Sequence, residues 1–260
     1  MDVNMDKRLV SVIRWRSWAF VLVVLGWAFQ VRSEPAPVPQ FNVTFTGEAV
    51  GAAPSIAYPD AGSIATKAQG VEVVPGGAGP NNNILVKKTY KDSRTGFVFG
   101  EGNVVVIKDG TTNQTDMLCF RGNTADQTDM GVVGIAWDML VDSQEDRSGN
   151  VFLFAQNRSG QNIAAVMINV GTGKINILNL TDTNEAAGAI PVGTLSIGTN
   201  VHLQADLDYK SGQLSVSMNG EKLGAGPFLA DSPFWGSVFY TTDPMIGAIA
   251  IDNFKTFRVR

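Results

Sequence analysis

From residue 41 to the C-terminus, apolar residues alternate with polar ones or form short runs that Gly, Asn, Asp or Pro interrupts. Alternation with a period of two sends successive side chains to opposite faces of a strand. We find no convincing stretch with the spacing of an amphipathic helix. Short strands separated by regularly spaced turns are typical of sandwiches and barrels. The sequence therefore predicts an all-β fold, built as a two-sheet antiparallel β-sandwich.

The alternating pattern predicts strands at 41–46, 71–74, 84–89, 104–108, 117–121, 132–141, 151–156, 163–170, 174–178, 201–208, 213–219, 237–241 and 248–259. Two stretches, 47–70 and 179–200, are rich in Gly, Ala, Pro and Thr, and they are interpreted as loops. Within the second loop, a single helical turn at 182–189 is the alternative.

One hairpin can be assigned residue by residue, because strands 201–208 and 213–219 flank a four-residue turn. If Asp208 faces Gln213, apolar residues share one face and polar residues share the other, and a slip of one residue would mix them. The apolar pairs are then Leu207 with Leu214, Ala205 with Val216 and Leu203 with Met218, and the polar pairs are Asp206 with Ser215, Gln204 with Ser217 and His202 with Asn219. This register predicts one buried face and one solvated face.

The hairpin runs on into Asn219-Gly220, and the chain ends on a second characteristic run, IAIDNF at 249–254. With the opening strands at Phe41 (FNVTF) and Asn103 (NVVVI), these segments resemble the concanavalin A-like lectin/glucanase superfamily, in its laminin G-like branch. The resemblance spans most of residues 41–260 and implies a jelly roll. It implies a fold more than an activity, because unrelated functions share this architecture.

The first 33 residues have the order of a secretory signal peptide. Basic residues precede an unbroken apolar run at 18–29, and Val31 and Ser33 suit the −3 and −1 positions of a cleavage site. As a helix this run would rise about 18 Å, short of the roughly 30 Å hydrocarbon core, so we expect cleavage over an uncleaved anchor. The predicted organisation is a signal peptide at 1–33, a Pro-rich tether at 34–40 and one domain at 41–260, in a secreted protein (extracellular, periplasmic or cell-surface).

The net charge limits the classes of partner that the protein can bind, and the cysteine content limits its covalent cross-links. Removing the leader's five basic and two acidic residues from totals of 20 and 24 leaves 15 and 22, a net charge of −7. A mildly acidic body without basic runs argues against nucleic acid and anionic membranes as partners. Cys119 is the only cysteine, which excludes a disulfide within the chain, and its apolar surroundings predict a buried thiol. We expect a monomer by default.

The chain lacks the catalytic pattern that the resemblance would imply for a glucanase, acidic residues at i, i+2 and i+4 of one strand. Leu140 stands between Asp138 and Asp142. Asp206 and Asp208 share a face, but the next position in the pattern is a lysine in the turn. The sequence therefore predicts no glycosidase site.

A polysaccharide lyase is the catalytic alternative. His202 is the only histidine, so any imidazole chemistry would depend on it. A lyase needs His or Tyr as the base and Arg or Gln to neutralise a uronate, and His202, Tyr209, Arg121 and Gln204 supply these types. Their spacing does not require a shared site, and the hairpin register favours a solvated His202.

Exposed aromatic side chains offer an apolar body with a polar tip, which suits sugar rings. Outside the leader the tryptophans are Trp137 and Trp235. Trp137 alternates with apolar neighbours along its strand, which predicts a place in the core. Trp235 lies at the turn-like entry to a strand. With Phe234 and Tyr240 it forms the predicted binding surface.

Calcium is common in the superfamily that the chain resembles, and it needs several oxygen ligands on a loop. Two acidic loops carry candidate ligands, which are Asp142, Glu145, Asp146, Asp126 and Asp129. Neither loop has the ligand spacing of an EF-hand, so solvated acidic turns are favoured. No cofactor other than calcium is expected.

Three functions remain open. Fold analogy favours an exported, non-catalytic module that recognises a carbohydrate or another extracellular surface. The first alternative is the lyase-type enzyme, working in the groove of the jelly roll. The second is a structural or assembly protein without a glycan ligand, because exposed strand edges also suit protein contacts.

Overall fold

The computed structural model describes residues 38–54, 56–57, 70–74, 84–108, 117–121, 131–181, 186–242 and 245–259, and the predicted signal peptide lies outside these ranges. Within them all regular secondary structure is β, which confirms the all-β prediction. No helix long and apolar enough to cross a membrane occurs in this part of the chain. In chain order the strands are β1 (Val38–Val43), β2 (Ile56–Ala57), β3 (Gly70–Val74), β4 (Ile84–Lys87), β5 (Tyr90–Lys91), β6 (Val98–Phe99), β7 (Val104–Ile107), β8 (Met117–Arg121), β9 (Val132–Val141), β10 (Asn150–Gln156), β11 (Asn162–Asn169), β12 (Lys174–Leu180), β13 (Ala186–Thr194), β14 (Val201–Asp208), β15 (Gln213–Met218), β16 (Glu221–Pro227), β17 (Gly236–Thr241) and β18 (Ile249–Val259).

The strands form two eight-stranded sheets and one small hairpin. The first sheet has the order β16-β15-β14-β9-β18-β7-β4, with β1 also paired to β18. The second has the order β13-β12-β11-β10-β17-β8-β3-β2, and β5 pairs with β6 alone. Strands distant in sequence, such as β9 and β18, lie side by side and antiparallel. The predicted two-sheet antiparallel jelly roll is confirmed.

The core is built from alternate residues on the facing sides of the two sheets. Along β14 buried and partly exposed residues alternate from Val201 to Asp208. Trp137 of β9 is fully buried, and its ring meets that of Phe239 on β17 edge-on at 5.9 Å between centroids. Cys119 is buried as well. Both burial predictions, for Trp137 and for Cys119, are confirmed.

The predicted register of the β14–β15 hairpin is confirmed at every pair from Asp208–Gln213 to Leu203–Met218. Beyond these pairs, the Asn219 N–H donates to the His202 carbonyl at 2.7 Å, and the His202 N–H donates to Asn219 Oδ1 at 2.9 Å. Asn219 and Gly220 have φ of 52° and 84°. This left-handed pair makes the tight turn that leads into β16.

Strands β13 and β16 lie where no strand is predicted. The predicted helical turn is wrong at 186–189, which belong to β13, while 182–185 lie outside the described residues. β13 and β16 are the terminal strands of the two sheets, and small residues allow them to pack closely. A Cβ on Gly224 of β16 would stand 2.7 Å from Cγ1 of Val192 on β13. Glycine and alanine have low β-propensity, which hides such edge strands from sequence patterns.

The first strand begins earlier than predicted. Val38 and Pro39, assigned to the tether, pair with Arg258 and Phe257 of β18. Proline is tolerated in β1 because this strand pairs on one side only, with β18. The β-sandwich therefore includes at least the last three residues of the predicted tether.

Candidate functional site

A groove of about 500 Å³ opens on the outer face of the first sheet. Five parts of the chain line it: the residues after β1, the segment 97–102, β9, β18 and Asn200 before β14. Most of the lining side chains are polar, whereas Phe97 and Val98 are 41% and 55% exposed. A concave site with a few converging polar groups beside apolar ones is the usual form of a small-ligand site. We refer to it as the carboxylate groove.

Three adjacent strands place a row of ionisable side chains across this face. His202 of β14 is the register partner of Asp138 of β9, which is in turn the partner of Asp252 of β18. Residues directly opposite each other on neighbouring strands project from the same face. His202 Nδ1 lies 2.6 Å from Asp138 Oδ1, and Asn253 Nδ2 donates to Asp138 Oδ2 at 2.6 Å. Both oxygens of Asp138 are therefore occupied.

Irregular backbone adjoins the carboxylate groove on two sides. The β18–β9 register shifts at a bulge within β18, where Asn253 has φ of 50°. Phe45, between the two groove-lining threonines, has φ of 53° although its side chain is buried in the core. These are two of the three non-glycine residues with left-handed backbone in the described part of the chain. Bulges re-aim side chains, and strain of this kind concentrates at functional sites.

Asp252 is the least satisfied carboxylate of the row. It is only 6% exposed. Its Oδ1 accepts the backbone N–H of Asn253 at 2.8 Å, and no partner of Oδ2 is found among the described residues. Burial and the charge of Asp138 raise the pKa of Asp252 to about 6, against the lowering effect of the Asn253 N–H. The groove therefore contains a carboxyl that ionises just below neutrality.

Asp92 holds the hairpin of β5 and β6 in place, and this hairpin carries the wall of the groove at 97–102. Asp92 accepts five hydrogen bonds of 2.6 to 3.2 Å, from the N–H groups of Arg94, Thr95 and Ser143 and the hydroxyls of Thr95 and Ser143. Burial raises its pKa, but the bonds from Ser143 and Thr95 outweigh burial and hold the pKa well below its usual range. Gly198 completes the packing, since a Cβ there would lie 3.1 Å from both Ser143 and Thr95.

Asp142 anchors the same hairpin from the end of β9. Its carboxylate accepts the Tyr90 hydroxyl, the Ser93 hydroxyl at 2.8 Å and the backbone N–H groups of Ser93 and Gln144 at 3.3 and 2.9 Å. Burial and the bond to Asp142 raise the pKa of Tyr90. We call Asp92 and Asp142, with these partners, the hairpin lock.

The structure gives no support to a calcium site in the loop after β9. Both oxygens of Asp142 accept hydrogen bonds from protein donors, and its role as a calcium ligand stays a prediction. Glu145 and Asp146 are exposed side chains on the surface. No group of three or more His, Cys, Asp or Glu able to hold a metal occurs among the described residues. Asp126 and Asp129 lie outside the described residues, and their role stays a prediction.

The predicted aromatic surface is not assembled. Phe234 is 1% exposed and belongs to the core, so its assignment to a binding surface is wrong. Trp235 is half-buried before β17. Tyr240 lies on the outer face of the second sheet, where its ring packs near Phe152 and Phe154 at 6.1 and 6.2 Å. The three residues were grouped by nearness in sequence, but strand alternation separates them.

The lyase constellation is also dispersed. His202 and Gln204 share the outer face of the first sheet, where Gln204 donates to both oxygens of Asp206. The Tyr209 hydroxyl accepts the Phe234 N–H at 2.8 Å and donates to a loop carbonyl, and burial raises its pKa, so it is not a free base. Arg121 belongs to β8 in the second sheet. The structure therefore does not bring the four residues together.

The row can orient a ligand but lacks a nucleophile. Asp138 and His202 correspond to the orienting and basic members of a catalytic triad. In the described part of the chain, no serine, threonine or cysteine side chain is bonded to the His202 ring. Asp138 itself is held by two donors. The arrangement suits hydrogen bonding to a bound molecule better than covalent catalysis.

Sequence reasoning missed Asp252, Asn253 and Asn200 and treated Asp138 only as part of an incomplete triplet. Their meeting depends on the pairing of β9 with both β14 and β18, strands separated by more than fifty residues of sequence. The one sequence signal was the Asp-Asn pair at 252–253, which directly follows the apolar run IAI at 249–251.

No protein-family model matches the sequence, and no curated protein matches it. Among solved structures, the conserved carbohydrate esterase of Shiga toxin-encoding bacteriophage phi24B matches with a TM-score of 0.53 and 14% identity, over 86% of this chain and 100% of that one. A sialidase matches with a TM-score of 0.48 and 12% identity over 67% of this chain, which spans 17% of the sialidase. A galectin of Caenorhabditis elegans matches with a TM-score of 0.41 and 8% identity, over 58% of this chain and 94% of that one. At 14% identity, the likeness to the phage protein shows a shared fold alone.

Proposed function

We propose that the protein is an exported, non-catalytic recognition module that binds a carbohydrate in the carboxylate groove. The observation that carries the proposal is the composition of the groove, which combines a polar floor at Asp138, Asn200 and Asp252 with the exposed ring of Phe97. Sugars present hydroxyls that need such polar partners and C–H faces that pack on aromatic rings. The order of the first 33 residues, which is typical of a signal peptide, supports the export part of the proposal.

Each part of the groove has a role in this proposal. The threonines after β1 and Asn200 offer both donors and acceptors to sugar hydroxyls. Asp252 offers its Oδ2, an acceptor without a partner among the described residues. Phe97 supplies an apolar face at the rim, and the hairpin lock holds it in place, which lowers the ordering cost of binding.

The resemblance to the concanavalin A-like superfamily and the fold shared with a protein described as a carbohydrate esterase are consistent with this proposal. They support it only by analogy, because one fold serves many functions. The separation of His202 and Gln204 from Arg121 in the second sheet, with the Tyr209 hydroxyl already hydrogen-bonded to protein groups, favours binding over the lyase alternative.

A glycan array probed with the purified protein tests the proposal, with affinities then measured on the best ligand. We expect Phe97→Ala and Asn200→Ala each to weaken binding about tenfold, which corresponds to roughly 1.4 kcal/mol. Trp235→Ala is the matched aromatic control, because Trp235 does not line the groove. Loss of binding in Trp235→Ala with normal binding in Phe97→Ala would move the site to the second sheet. Silence across broad glycan panels would favour the structural role.

A further inference from the structure

Among the described residues, every charged side chain that lines the carboxylate groove is acidic. The three are Glu101, Asp138 and Asp252, and no Lys, Arg or His occurs in this described lining. Lys222 of β16 lies near Asp206, and Lys255 of β18 is the register partner of Asn42 of β1. Neither lysine is among the residues that line the groove, so the described part of its lining is acidic.

We infer that the groove selects a sugar that carries a free ammonium group, a hexosamine without its N-acetyl substituent. This inference rests on the proposed function and names its ligand class. It follows from the polar floor, the aromatic rim and the acidic side chains of Glu101, Asp138 and Asp252 meeting in one cavity. Charge complementarity of this kind sets specificity more than raw affinity.

The acceptor for the ammonium is Asp252. Its side chain is more than nine-tenths buried and lines the groove, and its Oδ2 has no partner among the described residues. In a largely buried carboxylate, an oxygen that faces a groove without a protein donor is the atom left for a bound donor to reach. An ammonium that donates to Oδ2 would supply both the missing hydrogen bond and the opposite charge.

Asp138 positions this acceptor and does not compete for the ligand. Its two oxygens are held by His202 and Asn253, so it acts as a fixed negative neighbour of Asp252. A divalent cation would need several free oxygen ligands, which this pair does not provide. Uronates, sulfated sugars and other anionic glycans would meet three carboxylates and are disfavoured by like-charge repulsion.

The test compares short chitosan oligosaccharides with fully N-acetylated chitin oligosaccharides of equal length, by isothermal titration of the purified protein at low salt. We expect about tenfold tighter binding of the amine form near neutral pH, with the preference shrinking at high salt and at about pH 5. Asp252 is faced by Asp138, with His202 behind it and Glu101 on the opposite wall. Protonation of Asp252, whose pKa is raised to about 6, removes on acidification the charge that the ammonium would meet.

Asp252→Asn is the central variant, because it keeps shape and removes charge. We expect it to abolish the preference for the amine, so that the two oligosaccharides bind the variant with affinities within about threefold of each other. Asp206→Asn is the matched control, a carboxylate on the same sheet face but outside the groove, and it should leave the preference intact. An unchanged preference in Asp252→Asn would overturn the inference.

The remaining outcomes separate the two proposals. Equal binding of both oligosaccharides would overturn the amine preference and leave carbohydrate binding standing. If neither these oligosaccharides nor any other glycan bound to the protein, both the amine preference and the proposal of carbohydrate binding would be overturned. A lysine-rich peptide that displaces chitosan oligosaccharides at equal concentration would overturn the sugar assignment, because it would show that the groove recognises protein ammonium groups instead.

Discussion

The hairpin lock and the carboxylate groove each contain two aspartates at the same end of the first sheet, but the two pairs are satisfied differently. Asp92 and Asp142 are buried and are surrounded by protein donors. Asp252 is also buried, but it has one internal donor and a cavity in front of it. A buried carboxylate with a full set of partners is a structural element, whereas one that lacks partners and faces a cavity is a candidate binding group.

The pKa directions express the same difference. The pKa of Asp92 in the folded protein lies below its ordinary value, so the ionised carboxylate stabilises the fold at pH values above the pKa that Asp92 has in the unfolded chain. This stabilisation is lost as the pH falls through the pKa of Asp92 in the folded protein. Asp252 has a pKa of about 6, above its ordinary value. Its unfolded form releases the proton first, so folding is penalised progressively as pH rises from about 4 to about 6 and fully above that.

Asp92→Ala should have the largest effect. It removes the acceptor of five hydrogen bonds and leaves the buried N–H and hydroxyl of Ser143, and the Thr95 N–H, without this partner. We expect a loss of about 4 kcal/mol in the free energy of unfolding at neutral pH, measured by urea denaturation. The difference from wild type should shrink in acid, where Asp92 is protonated in both states. A loss below about 1 kcal/mol would contradict the description of Asp92 as part of a lock.

Asp252→Asn should change stability in the opposite direction. Removing a buried charge whose pKa is raised to about 6 should increase the free energy of unfolding by roughly 2 kcal/mol near pH 7. The gain should vanish below about pH 4, where the wild-type carboxyl is protonated in both states. Paired denaturation curves across this range measure it. A destabilised variant at pH 7 would indicate that Asp252 is structural, like Asp92.

The same contrast explains what the sequence could predict. The β14–β15 hairpin was predictable to the residue because both strands lie within twenty residues and alternate without a break. The outer-face position of His202 follows from that register. Its contact with Asp138 does not, because it depends on a strand pairing across sixty-four residues of sequence. Local patterning fixes the face on which a side chain lies, but topology decides which other side chains share that face.

The aromatic residues show a second limit of prediction from sequence, which is that nearness in sequence does not place side chains on one surface. Phe234, Trp235 and Tyr240 are close in sequence and were grouped for that reason, but the Phe234 N–H donates to the Tyr209 hydroxyl and the Phe234 ring packs into the core. The hairpin lock was hidden as well, because Asp142 and its partners at 90 and 93 are about fifty residues apart. Buried polar clusters between distant segments leave no periodic signal.

Tyr90→Phe weakens the lock without removing a charge. The variant loses one hydrogen bond to Asp142, which keeps those of Ser93 and Gln144. We expect a loss of about 1 kcal/mol in the free energy of unfolding. Amide hydrogen exchange should also become faster across residues 93–102, because the hairpin opens locally more often. Unchanged exchange in that segment would show that the groove wall is held by other contacts.

Phe97→Ala should have the smallest effect on stability and so separates the two regions most sharply. The Phe97 side chain is 41% exposed on the groove rim, and the lock bonds to Asp92 and Asp142 do not involve its ring. We therefore expect the free energy of unfolding to stay within about 0.5 kcal/mol of wild type, the range of ordinary surface substitutions. A loss of more than about 1 kcal/mol would mean that the ring supports the hairpin, and weaker glycan binding in this variant could no longer be ascribed to a lost contact with the ligand.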